Sequence, residues 1–119
     1  MDEDLKDYAE IRLDKLRRIR YGWGELRELS RRLNGATFAQ IIDRLTDPEV
    51  LTVALLVGLR GEPDLRRAGP EKIDELLDAF FKREGDDAGL GALLSAVTEA
   101  IQAHGVLRSR RRDDAPRPQ

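Results

Sequence analysis

The chain has no cysteine among its 119 residues. That excludes disulfides, thiolate metal sites and a cysteine nucleophile, and it fits a reducing interior. There is a single histidine, His104, with neither HxxxH nor HxxE spacing around it. A histidine-based metal centre would need carboxylates to complete it, and a solvated histidine near a helix C-terminus is the plainer reading. Aromatic residues are only 5% of the chain against 37% charged, so the core must be built from Leu, Ile, Val and Ala, a composition that favours helices. The formal net charge of -2 supplies no global attraction to nucleic acid or to an anionic membrane. A secretory signal is not expected either: Met1-Asp2-Glu3-Asp4 is acidic where such a signal is basic and then apolar. The longest apolar run, Val50 to Val57, is far short of a bilayer span. The expectation is a soluble protein of the cytoplasm with no membrane partner.

A chain of this length holds one domain around one hydrophobic core. Residues 1–9 are acidic and weakly patterned and read as a flexible lead-in, 10–107 as a single helical domain, and 108–119 as a disordered Arg-rich tail with nothing to bury beyond one Ala. At the start of the domain, Ile11 and Leu13, then Ile19 and Tyr21, alternate with polar residues. This pattern fits two short strands turning near Asp14-Lys15, while Leu5, Tyr8, Leu16 and Ile19 would also share a helix face; the hairpin is the preferred reading.

From Trp23 the spacing is helical. Trp23, Leu26, Leu29 and Leu33 fall on one stripe, and Asn34-Gly35 can enter the left-handed conformation that ends a helix. Thr37 and Gln40 are spaced as a capping box for a second helix burying Phe38, Ile41, Ile42 and Leu45. Asp47-Pro48-Glu49 is a cap, a first-turn proline and an acid at the positive end of the dipole, opening a third helix to about Arg60. That helix has hardly any polar face, so it is either enclosed by neighbours or exposes an apolar surface that a partner covers. Gly69-Pro70 opens a fourth helix, carrying Ile73, Leu76, Leu77, Phe80 and Phe81. Gly85-Asp86-Asp87 separates a fifth, with Leu90, Leu93, Leu94, Val97 and Ile101 facing inward. The expected fold is mainly α: a bundle of about five short helices behind a small N-terminal β-hairpin. No internal repeat or sustained heptad is present.

Nothing in the sequence composes a catalytic or cofactor site. The pairs Asp86/Asp87 and Asp113/Asp114 fall in a linker and a tail, whereas acid–base work needs groups held in a cleft. Ser30, Ser95 and Ser109 lack a nucleophile elbow, and Gly58, Gly61, Gly89 and Gly91 do not form a phosphate-cradling loop. The expectation is a non-enzyme with no cofactor and no metal. Two basic clusters, Arg17/Arg18/Arg20 and Arg108/Arg110/Arg111/Arg112, are able to meet phosphates. The first alternates as a solvated strand face, however, and the second lacks an aromatic stacking platform. A helix-turn-helix around Gly35 would leave its second helix only Gln40 and Arg44 beside the acidic Asp43, a weak set for reading bases. Nucleic acid is not the expected partner.

Several segments together resemble the tail assembly chaperones of long-tailed bacteriophages and gene transfer agents. They are the strand-like Ile11 to Lys15 and Arg18 to Tyr21, Gly24-Glu25-Leu26-Arg27-Glu28-Leu29, and Asn34-Gly35 followed by Ile41-Ile42. Leu45-Thr46-Asp47-Pro48-Glu49, which leads into Leu55-Leu56-Val57-Gly58-Leu59-Arg60, continues the likeness, as do Glu71 to Leu77 and Leu93 to Ile101. The resemblance covers roughly residues 10–107 and rests on common residues rather than on a chemical motif; the polar tail is not part of it. It implies a small, mostly helical, non-enzymatic protein of the bacterial host cytoplasm that binds the tape measure protein and tail tube subunits. It carries over no catalytic residue. A long helical partner whose apolar stripes must be shielded suits a helix-in-groove contact. Val50, Val53, Val57, Phe80 and Phe81 are the expected contributors to a partner or self-association surface. A head-to-tail connector and a small DNA-binding regulator are the alternatives.

Overall fold

The computed structural model describes residues 7–103. Two antiparallel strands, β1 (Tyr8–Arg12) and β2 (Leu16–Arg20), are followed by α1 (Trp23–Arg32), α2 (Phe38–Asp43) and α3 (Pro48–Gly58). A short 3-10 turn (Pro63–Leu65), α4 (Pro70–Glu84) and α5 (Asp86–Gln102) complete the described chain. The protein is mainly helical with an N-terminal hairpin, as its patterning indicates. The strand begins earlier than the composition marks, because Ala9 is buried against the core and Tyr8 pairs with Arg20. The expected lead-in therefore gives way to structure two residues sooner. His104, the tail and its arginines lie outside the described residues.

The hairpin turns at Leu13, Asp14 and Lys15, with Ala9 opposite Ile19 and Ile11 opposite Arg17. Alternation sends Ala9, Ile11, Leu13, Arg17, Ile19 and Tyr21 inward. This face packs on α5, and β2 also touches α3. α3 is the axle of the fold and contacts α1, α4 and α5 as well as β2. Val50, Leu51, Ala54, Leu55, Val57 and Gly58 are buried, while Thr52, Val53 and Leu56 remain partly open. The oily helix is thus enclosed on most sides but not all.

The helix ends follow their local chemistry. The Thr37 hydroxyl accepts from Gln40 N and the Gln40 side chain accepts from Thr37 N, closing the box that starts α2. Asp47 accepts from Glu49 N at the start of α3, with Pro48 in the first turn. α1 ends in tandem left-handed residues, Asn34 (φ 62°) and Gly35 (φ 78°). Only Gly85 (φ 88°) separates α4 from α5, so α5 starts directly at Asp86. Asp86 and Asp87 sit in its first turn rather than in a linker, where carboxylates complement the helix dipole.

Gly58 is where α3 meets the hairpin. A Cβ there would come within 2.7 Å of Ile19 Cγ2 and of the Tyr21 ring carbon and hydroxyl, so only glycine permits this approach. Tyr21, fully enclosed, donates its hydroxyl hydrogen bond to the Ala54 carbonyl at 2.6 Å. Burial pushes its phenol well above the usual range.

Candidate functional site

Two groups of side chains stand out from a core of ordinary packing. The first gathers around Arg17, which alternation places on the inward face of β2 and which is 1% exposed. Its guanidinium donates from Nε and Nη2 to Asp14 at 2.9 and 2.8 Å. Nη1 reaches Asp64 at 2.6 Å and Glu62 at 3.1 Å, and Nη2 reaches the second Asp64 oxygen at 2.9 Å. The bidentate geometry on Asp14 and Asp64 is the strong form of such a pair. These bonds, with that of Asp64 foremost, hold the arginine's charge above even its usual strong basicity. In return, Arg17 lowers the Asp14 carboxyl and draws that of Asp64 down to about 2. The arrangement ties the hairpin turn to the 3-10 turn after α3.

Beside it, Arg83 near the end of α4 donates to the carbonyls of Leu13 and Arg12, each at 2.6 Å, and its guanidinium lies 5.5 Å from the Phe80 ring centroid. Satisfied charges tying loops together are a structural constellation; all three carboxylates are engaged by one cation. Among the described residues, no group of three or more potential metal ligands forms a metal site.

The second group is the corner between α1 and α2. Trp23 is 51% exposed, contrary to its place on the expected buried stripe. Each three-residue step along a helix falls about 60° short of a full turn, so Leu26, Leu29 and Leu33 close over the core while Trp23 drifts to the edge. Its ring meets Phe38 edge to face, with centroids 6.4 Å apart and planes at 81°. Phe38 and Ile42, one helical turn apart on α2, are both partly open. Ser30 Oγ donates to the Ala36 carbonyl at 2.8 Å and helps set the corner.

The expected partner-binding residues divide. Val50, Val57 and Phe80 are buried: the first two face the neighbours that enclose α3, and Phe80 packs where α5 crosses α4 at Gly89. They cannot serve a surface in this conformation. Val53 and Phe81 remain half-buried, and they do not include the largest exposed apolar groups, Trp23 and Leu16. Helical periodicity finds stripes, but it does not mark where a stripe leaves its neighbours.

Of the hairpin arginines, Arg18 and Arg20 are exposed as a strand face should be, with Arg18 4.5 Å from the Tyr8 ring centroid and Arg20 paired to Asp7. Arg17 is the exception. Its signal was available, because parity with Ile19 and Tyr21 points it inward. Gln40 is committed to the cap of α2, so the second helix of the helix-turn-helix comparison loses one of its two candidate base readers.

Two shallow clefts lie among the described residues. One of about 420 Å³ is lined by Asp64, Arg66, Arg67 and Lys72 among others, and one of about 160 Å³ lies between Arg20, Glu25, Val57 and Arg60. Beside the smaller, Arg60 forms a two-armed pair with Glu28, one arm at 2.7 Å, which joins α1 to the end of α3 and lowers the Glu28 carboxyl. No helix among the described residues is long and apolar enough to cross a membrane. Comparison with protein-family models, curated proteins and solved structures yields no match.

Proposed function

We propose that this chain is a protein-binding module that acts as a tail assembly chaperone of a long-tailed phage or gene transfer agent, without catalysing a reaction. In this role it holds the tape measure protein and engages tail tube subunits in the host cytoplasm while the tail is built. The observation that carries the binding role is the Trp23–Phe38 pair. An aromatic pair left half open on a small domain, with so few aromatics to spend on its core, fits a contact surface better than a packing need. The particular role rests on the sequence resemblance described above.

Co-expression of the chain with the tape measure protein and tail tube protein tests the reading. The expected result is a co-purifying complex in the cell extract and depletion of the chain from finished particles, measured by quantitative mass spectrometry. Stoichiometric retention in mature particles would instead identify a structural connector, and failure to co-purify with either tail component would remove the chaperone role.

A further inference from the structure

We infer that the Trp23 corner docks a helix of another polypeptide whose apolar stripe is bordered by carboxylates. On α1, Arg27 and Arg31 follow Trp23 at successive four-residue steps, which places them along the same exposed face. Both are exposed, and neither side chain forms an ion pair among the described residues, whereas Glu28 is taken up by Arg60 and Arg32. At the end of α2, Asp43 and the following Arg44 are adjacent opposite charges that largely cancel. The surface therefore offers an apolar centre of Trp23, Phe38 and Ile42 with a positive border from Arg27 and Arg31.

A complementary occupant supplies apolar side chains at i, i+3 or i+4, and i+7 for the rings, and Asp or Glu on its flank for the arginines. Tryptophan and arginine are the residue types that dominate binding energy at protein surfaces. Border charges act chiefly on encounter rate and on rejection of wrong partners. A partner with a basic flank would face Arg27 and Arg31 and be disfavoured. This inference rests on the reading of the chain as a protein-binding module and adds the chemistry of what it binds.

Trp23 is the only tryptophan, so its fluorescence reports on this surface directly. Two designed helical peptides of about 18 residues, enough for five turns, share one leucine stripe; one is bordered by Glu and the other by Lys. Each is titrated into the full chain at low salt. The expected result is a saturable blue shift with the Glu peptide, binding about tenfold weaker for the Lys peptide, and a preference that shrinks as salt rises. The double substitution Arg27→Glu with Arg31→Glu, on an exposed face and checked for fold by circular dichroism, should reverse the order of the two peptides. Leu16→Ser, on the exposed face of the hairpin, should leave both titrations unchanged.

No shift with either peptide, or equal affinity for both, overturns the inference. A blue shift that grows with protein concentration alone, together with dimers in sedimentation, overturns it in favour of a second copy as the occupant. The two readings fail separately. If tail components co-purify equally well with wild type and with the double variant, the inference about this surface falls and the chaperone role stands. If the Glu peptide binds as expected but no tail component co-purifies, the surface stands and the role falls.

Discussion

At the hairpin end, Arg17 spans from Asp14 to Asp64 and Glu62, Arg83 holds the turn's carbonyls, Tyr21 reaches Ala54, and Gly58 lets helix and strands touch. At the α1–α2 corner, a six-residue helix is set by its own capping box and a hydroxyl bond from Ser30, and the largest aromatic ring lies half in solvent. The first region spends its polar and aromatic groups on internal contacts. The second leaves Trp23 half exposed against Phe38, with Phe38 and Ile42 partly open. With a net stability of about 5–15 kcal/mol for a domain, that division lets one end carry the fold and leaves the other open to the contact proposed above.

The largest effect is expected at Gly58. Gly58→Val forces methyl groups into Ile19 and Tyr21 and is expected to cost about 3 kcal/mol, the upper part of the overpacking range, measured by urea denaturation. Arg17→Met is next, at about 2 kcal/mol. Breaking a fully buried pair costs more, but here the carboxylates left behind can turn to water.

The same clasp sets the acid response. Asp64 titrates at about 2 in the folded chain against an ordinary 3.8, and Asp14 is lowered too. Each carboxyl binds protons more weakly when folded, so its contribution is fully present above about pH 5 and is lost as pH falls through the folded value. The urea midpoint should drop steeply between pH 4 and about 2, and Arg17→Met should flatten that drop, leaving the smaller share due to Glu28 with Arg60. Tyr21→Phe removes one buried hydrogen bond and should cost about 1 kcal/mol. At the other region, Trp23→Ala removes the edge-to-face contact with Phe38 and should cost about 1 kcal/mol or less, while abolishing the peptide-binding and co-purification signals.

Most of the fold was legible because each level agreed with the next. The Thr37/Gln40 box, the Asp47-Pro48-Glu49 start, the Asn34-Gly35 stop and the Leu26/Leu29/Leu33 stripe are local features, and tertiary packing left them in place. The candidate surface was less legible. Whether Val50 and Val57 face a neighbour or solvent depends on where α1, α4 and α5 lie around α3, and no spacing within α3 encodes that. Trp23 continues the spacing of the stripe by one more helical step, and the drift of that step turns it out. Composition groups Arg17 with its charged neighbours, whereas strand parity places it with Ile19 and Tyr21. Its partners Glu62 and Asp64 come from a distant turn, so the ion cluster could not be seen before the hairpin was placed beside it.

The division between the two regions is tested most directly by hydrogen–deuterium exchange of the chain alone and in complex with the co-expressed tape measure protein. Slowed exchange is expected to concentrate in residues 23–44 on complex formation, with the strands of the hairpin, 8–20, unchanged. Slowed exchange confined to the hairpin, with residues 23–44 exchanging as they do in the isolated chain, would contradict it.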